Sequence, residues 1–133
     1  MISVNEVYDT LAKALPNVYV TKYYNRITEQ LPCVYFRESH SPVRRYNQLD
    51  YQDEQHRLVC YVEVYGYDID DIVKTIESTF KSMYFLEELA EMIPNYDPDI
   101  ERVSLRFQRI ITDGDTLPAQ EVSDNGTEEN GNP

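Results

Sequence analysis

Chemistry in this chain would have to begin at His40 and His56, which bracket a polar stretch of residues 40–56. Ser39-His40-Ser41 with Asp50 or Asp53 supplies the residue types of a hydrolytic triad, in which histidine takes the serine proton and a carboxylate orients the imidazole. A triad is defined by geometry on rigid elements, however, and these residues fall in one segment that has neither helical nor strand period. The same histidines and carboxylates are also the donor types of a zinc site. No CxxC, HxxxH or HExxH spacing accompanies them, so histidines on the surface of a loop are the simpler account.

The other chemically suggestive residues have structural causes. Asp68, Asp70 and Asp71 sit where a helix N-terminus favours negative charge. Asp113-Gly114-Asp115 lacks the further ligands and the closing glutamate of a calcium loop. Asn125-Gly126-Thr127 has the form of a glycosylation acceptor, but the N-terminal residues show no secretion signal that would give it meaning. With four glycines, three of them at or beyond Gly114, there is no glycine-rich phosphate loop. No catalytic, metal-binding or cofactor-binding residue is assigned, and no enzymatic activity is expected.

The elements that could position a site are clearer. Ser3-Val4-Asn5-Glu6 reads as a capping box, with Ile2 and Val7 at the hydrophobic-staple positions. Val4, Val7, Tyr8, Leu11, Ala14 and Leu15 then mark one face of a helix over 4–15, and Pro16 stops it. Residues 17–24 and 31–39 read as strands from their Val, Tyr and Phe content. Leu58, Cys60, Val62 and Val64 alternate with Val59, Tyr61, Glu63 and Tyr65 in a third strand over 57–65. It leads through Gly66 into a helix over 68–83, capped by Asp68, with Ile69, Ile72, Val73, Ile76, Phe80 and Met83 at helical spacing. The stripe slips at Tyr84, which predicts a break and then a short strand or irregular segment, with a continued helix as the alternative. A last strand spans 100–111.

The expected fold is therefore α+β: a mixed or antiparallel sheet of four to five strands with both helices on one face. Val7, Leu11, Leu58, Val62, Ile72, Ile76, Phe80, Leu105 and Phe107 should meet in its core. Residues 1–112 form the domain, and 113–133 form an acidic tail with six carboxylates and no basic residue, expected to be disordered.

The net charge of −12 and the pI near 4.4 oppose a surface that grips nucleic-acid phosphates or anionic lipid. No apolar run approaches the roughly 20 residues of a membrane span, and the N-terminus lacks a signal peptide, so a soluble cytosolic protein is expected. Cys33 and Cys60 fall in separate strands. If those strands are neighbours the thiols could lie close enough to pair, but two small buried hydrophobes in a reducing compartment are the favoured reading.

Tyrosine is the residue in excess: 12 in 133, with no tryptophan. Tyr19, Tyr23, Tyr61 and Tyr65 fall on the strand face opposite the aliphatic one. Helices covering the aliphatic side would leave these rings on the other, where an aromatic, half-polar surface suits a protein interface. The competing account is that they cap a solvated sheet.

This order of elements, with Leu31-Pro32-Cys33-Val34-Tyr35-Phe36 and the segment from Tyr61 to Asp71, resembles the tail-terminator (tail-completion) proteins of long-tailed bacteriophages and phage-tail-like particles. The likeness covers residues 1–112. It implies a non-enzymatic virion protein that forms a ring, typically a hexamer. Such a ring caps the tail tube, ends its polymerisation and joins the tail to the head or neck, and is assembled in the host cytoplasm. Its partners would be the tube protein and a neck or connector protein, with DNA passing through the lumen without specific binding, and no membrane. The family places contacts in the loop between the second and third strands, here 41–55, which makes Arg44, Arg45, Tyr46 and Tyr51 the candidate anchors. Two other readings remain: a head–tail connector (neck or stopper) component, and a small ligand-binding α+β domain. An RNA-binding sheet is opposed by the net charge and by the lack of a basic-aromatic strand.

Overall fold

The protein is described by a computed structural model that covers residues 2–22, 30–42, 55–94, 97–112 and 114–117. The elements are α1 (Val4–Ala14), β1 (Tyr19–Thr21), β2 (Cys33–Pro42), β3 (Gln55–Gly66), α2 (Asp70–Ser82), β4 (Leu86–Met92) and β5 (Glu101–Thr112). The five strands form one mixed sheet in the order β1-β2-β3-β5-β4, with β1 parallel to β2 and every other pair antiparallel.

α1 begins as its capping box predicts: the Ser3 hydroxyl accepts from the Glu6 amide at 3.2 Å, and Ile2 and Val7 are both buried beside it. α2 begins differently. Asp68 takes a left-handed conformation (φ 55°) in the turn after β3, one residue before the N-cap, which is Ile69. A carboxylate from β5 serves instead, with Glu101 Oε1 accepting from the Ile69 amide at 3.2 Å. Gly66 is required at the start of this turn, because a Cβ there would lie 2.9 Å from Ile69 Cγ2 and 3.3 Å from Pro32.

α2 breaks where its apolar stripe slips. Tyr84 adopts φ 66°, and Phe85 turns inward as the chain enters β4. Arg109 of β5 holds this corner by donating to the Met83 carbonyl at 2.6 Å, a cation at the negative end of the helix.

Both helices pack on one face of the sheet. Val7 and Leu11 of α1 and Ile76 and Phe80 of α2 join Val34, Phe36, Leu58, Cys60, Val62, Val64, Leu105, Phe107 and Ile111 in a single core. Phe80 stacks on Phe107 with ring centroids 4.2 Å apart, and Phe85 meets Phe80 edge-on at 5.2 Å. Ile72, expected in the core, is only half-buried at its border.

The register decides between the two readings of the cysteines in favour of buried thiols. β2 and β3 do pair, but their register sets Cys33 against Tyr65 and Cys60 against Glu38. That separates the cysteines by five residues along the ladder, about 17 Å at strand rise, and on opposite faces. Both are free thiols, and burial pushes each above its ordinary pKa.

The fold also continues past residue 112. Asp115 accepts from the Thr112 amide at 2.7 Å and from its hydroxyl at 3.0 Å, and Leu117 is completely buried against the core. These bonds, with the Arg109 guanidinium nearby, hold the Asp115 carboxyl below the usual carboxylate range. Residues 118–133, the rest of the acidic tail, lie outside the described residues.

Candidate interaction surface

No described element covers the second face of the sheet. Alternation along the paired strands assigns it Tyr19 on β1, Tyr35 and Arg37 on β2, and Arg57, Tyr61, Glu63 and Tyr65 on β3. Arg102, Arg106 and Ile110 of β5 and Leu86, Leu89 and Glu91 of β4 complete it. Tyr19, Tyr61 and Tyr65 thus share one face, as their spacing predicted. Tyr23, Arg44, Arg45, Tyr46 and Tyr51 lie outside the described residues.

The rings on this face are braced rather than loose. The Arg37 guanidinium lies 4.0 Å from the centroid of Tyr61, and that of Arg102 lies 5.5 Å from Tyr65. Arg102 Nη2 donates to both Glu63 oxygens at 3.1 Å, and Tyr65 Oη donates to Glu63 Oε1 at 2.5 Å. Arg106 pairs with Glu88 at 3.3 Å, where a β-bulge between Glu87 and Leu89 turns the acid toward it. Tyr61 and Tyr65 are therefore half-buried under arginine, while Tyr19 is 41% exposed. Held rotamers cost less entropy on binding, which suits a preorganised contact surface.

Of the five arginines among the described residues, Arg37, Arg57, Arg102 and Arg106 stand on this face, and only Arg109 stands on the helix side. The sequence reading missed this concentration and also missed Tyr35. The signal was there, since Arg102 and Arg106 alternate with Val103, Leu105 and Phe107, and Tyr35 lies between Val34 and Phe36.

Among the described residues, the groups considered for chemistry do not converge. His40 and His56 belong to β2 and β3 rather than to a loop, because that hairpin ladder runs on to the pair Pro42 and His56. Their rings stand 5.4 Å apart on the helix side. Ser39 and Ser41 point to the opposite face by the period of two, which separates them from the His40 imidazole. Asp50 and Asp53 lie outside the described residues, and among those described no three His, Cys, Asp or Glu side chains gather as a metal site.

Among the described residues the one strongly perturbed carboxyl is Glu87, exposed on β4. The hydrogen bond that its protonated carboxyl donates to Glu77 of α2, then partial desolvation and the repulsion of that neighbour, push it up to about 7. No described helix is long and apolar enough to cross a membrane.

Compared with known proteins, the chain matches no protein-family model and no curated protein sequence.

Proposed function

We propose that this chain is a structural virion protein that assembles as a ring, most naturally six-fold, on the end of a phage-type tail tube. There it ends tube polymerisation and joins the tail to the head or neck. The observation that carries the reading is the uncovered sheet face, where braced tyrosines and four arginines stand in a chain of net charge −12. Interfaces favour these residue types. Their concentration on a face that nothing in the fold requires to be aromatic argues for a partner. A further support is the layout itself: a capped helix, a β2–β3 hairpin, a strand running into α2 and a closing strand follow the order on which the tail-terminator resemblance rests.

The chemistry of the role is exclusion and docking rather than catalysis. An acidic ring repels phosphate, so DNA would pass through its lumen without sticking. The tube protein and a neck protein would take its two rims, and assembly would take place in the host cytoplasm. Native mass spectrometry and electron micrographs of the purified protein test the reading. A closed ring of one copy number supports it. A monomer carrying a small metabolite would replace it with the ligand-binding reading, and a ring that binds the portal side alone would replace it with the connector.

A further inference from the structure

Two of the four arginines on the uncovered face have no acid. Arg102 is paired with Glu63 and Arg106 with Glu88, whereas Arg37 and Arg57 are exposed and in no ion pair among the described residues. Both stand toward one end of the sheet. The register puts Arg57 between Ser41 and Ile110, and Arg37 opposite Tyr61. The two arginines are thus four residues apart along the ladder and one strand across, about 14 Å. The side chains between and beside them on this face, Ser39, Val59 and Gln108, carry no charge.

The chain leaves the described fold at the same end. Thr112, two residues beyond Ile110, closes β5 opposite Gln55, and Leu117 is anchored in the core just after it. Residues 118–133 follow, with the carboxylates of Glu121, Asp124, Glu128 and Glu129 and no lysine, arginine or histidine. Counted from Leu117, Glu121 can reach up to about 14 Å and Glu129 up to about 43 Å. That is enough to round the end of the sheet to Arg57 and run on to Arg37. A segment joined to the chain meets its own face at an effective concentration of about a millimolar, far above that of a second copy in dilute solution.

We infer that the acidic segment 118–133 lies over the Arg37–Arg57 region of its own sheet, carboxylate against guanidinium, and that an incoming partner must displace it. The inference rests on the reading of this face as an interaction surface and adds what occupies it beforehand. Exposed ion pairs are individually weak and are screened by salt. The cover is therefore readily exchanged, and removing it leaves Tm unchanged.

Carbodiimide coupling in the full chain, which joins a carboxylate directly to an amine, tests this. All four lysines belong to the helix layer: Lys13 on α1, Lys74 and Lys81 on α2, and Lys22 bonded to Asn5 of α1 at 2.7 Å. Arg37→Lys with Arg57→Lys places two amines on the uncovered face and keeps its charge. Tail acids should then couple to positions 37 and 57 about fivefold or more over the four native lysines, and at least about threefold less in about 0.5 M sodium chloride. In a mixture of ¹⁴N- and ¹⁵N-labelled chains, each coupled peptide pair should carry a single isotope. The unaltered arginines give a second reading. Phenylglyoxal should modify Arg37 and Arg57 about threefold faster in a full chain carrying Glu121→Gln, Asp124→Asn, Glu128→Gln and Glu129→Gln. Sedimentation velocity should show that this variant self-associates about threefold or more tightly than wild type.

Coupling spread evenly over all lysines, or arginine reactivity equal in the two chains, overturns the contact. Pairs of mixed isotope overturn the intramolecular cover and give the face to a neighbour's tail. A ring that both chains form equally tightly overturns the displacement. Chains that both stay monomeric remove the ring, while the coupling result still decides the contact.

Discussion

Cutting the chain at two points five residues apart should give opposite results. Removing 118–133 deletes residues outside the described fold and should leave stability unchanged. Removing 113–133 also deletes Leu117, which is fully buried, and Asp115, whose carboxylate accepts two hydrogen bonds from Thr112. A buried leucine is worth about 2–3 kcal/mol in transfer alone, and emptying its site adds a cavity term. The two Asp115 bonds contribute roughly 1 kcal/mol each. The loss is then about 4–6 kcal/mol, a large share of the 5–15 kcal/mol that holds a typical domain together. For a domain of this size that lowers Tm by roughly 15–30 °C. Thermal and urea melts of chains 1–133, 1–117 and 1–112 read this directly, with Leu117→Ala in the full chain as the point substitution. If 1–112 melts with the full chain, or if 1–117 melts well below it, the assignment of Leu117 and Asp115 to the fold is wrong.

Other outcomes follow from single groups. Glu87 has a folded pKa raised to about 7, so its protonated hydrogen bond with Glu77 contributes at acidic pH and is lost as pH rises through that value. Glu87→Gln should therefore raise Tm at pH 8 relative to wild type and change it little at pH 5.5; equal effects at both pH values would show that the carboxyls are not coupled. The buried Cys60 thiol should react with a thiol reagent only after denaturation, and non-reducing electrophoresis of air-exposed protein should show no intramolecular disulfide. Val62→Asp places an unpaired charge at the centre of the sheet, at a cost of several kcal/mol, and should abolish the cooperative melt; a normal transition would refute the core assignment.

The fold was legible wherever a period was long enough to commit the chain. The alternation from Leu58 to Tyr65 and the stripe from Ile69 to Met83 each specify one buried face, and α1 carries its own start signal in Ser3 and Glu6. Three features escaped because they depend on contacts distant in sequence. The start of α2 is served by Glu101, 32 residues away, so the local attraction of Asp68 as a cap was misleading. His40 and His56 look like loop residues until the β2–β3 ladder is extended, because a hairpin arm of mixed polar residues shows no apolar alternation. Leu117 is a single apolar residue in an acidic context, and nothing local marks it as buried. The candidate surface was partly legible: tyrosine phase placed Tyr19, Tyr61 and Tyr65 on one face, whereas the arginines that brace Tyr61 and Tyr65 emerge only when β2, β3 and β5 are set side by side.

A protein with the proposed role at the end of a tail tube would set tail length, and tail length is directly visible. Electron micrographs of particles produced with and without the protein should show uniform tails joined to heads in the first case. In the second they should show tubes of scattered, extended length beside unjoined heads. Tails of normal, uniform length assembled without the protein would rule out the proposed role.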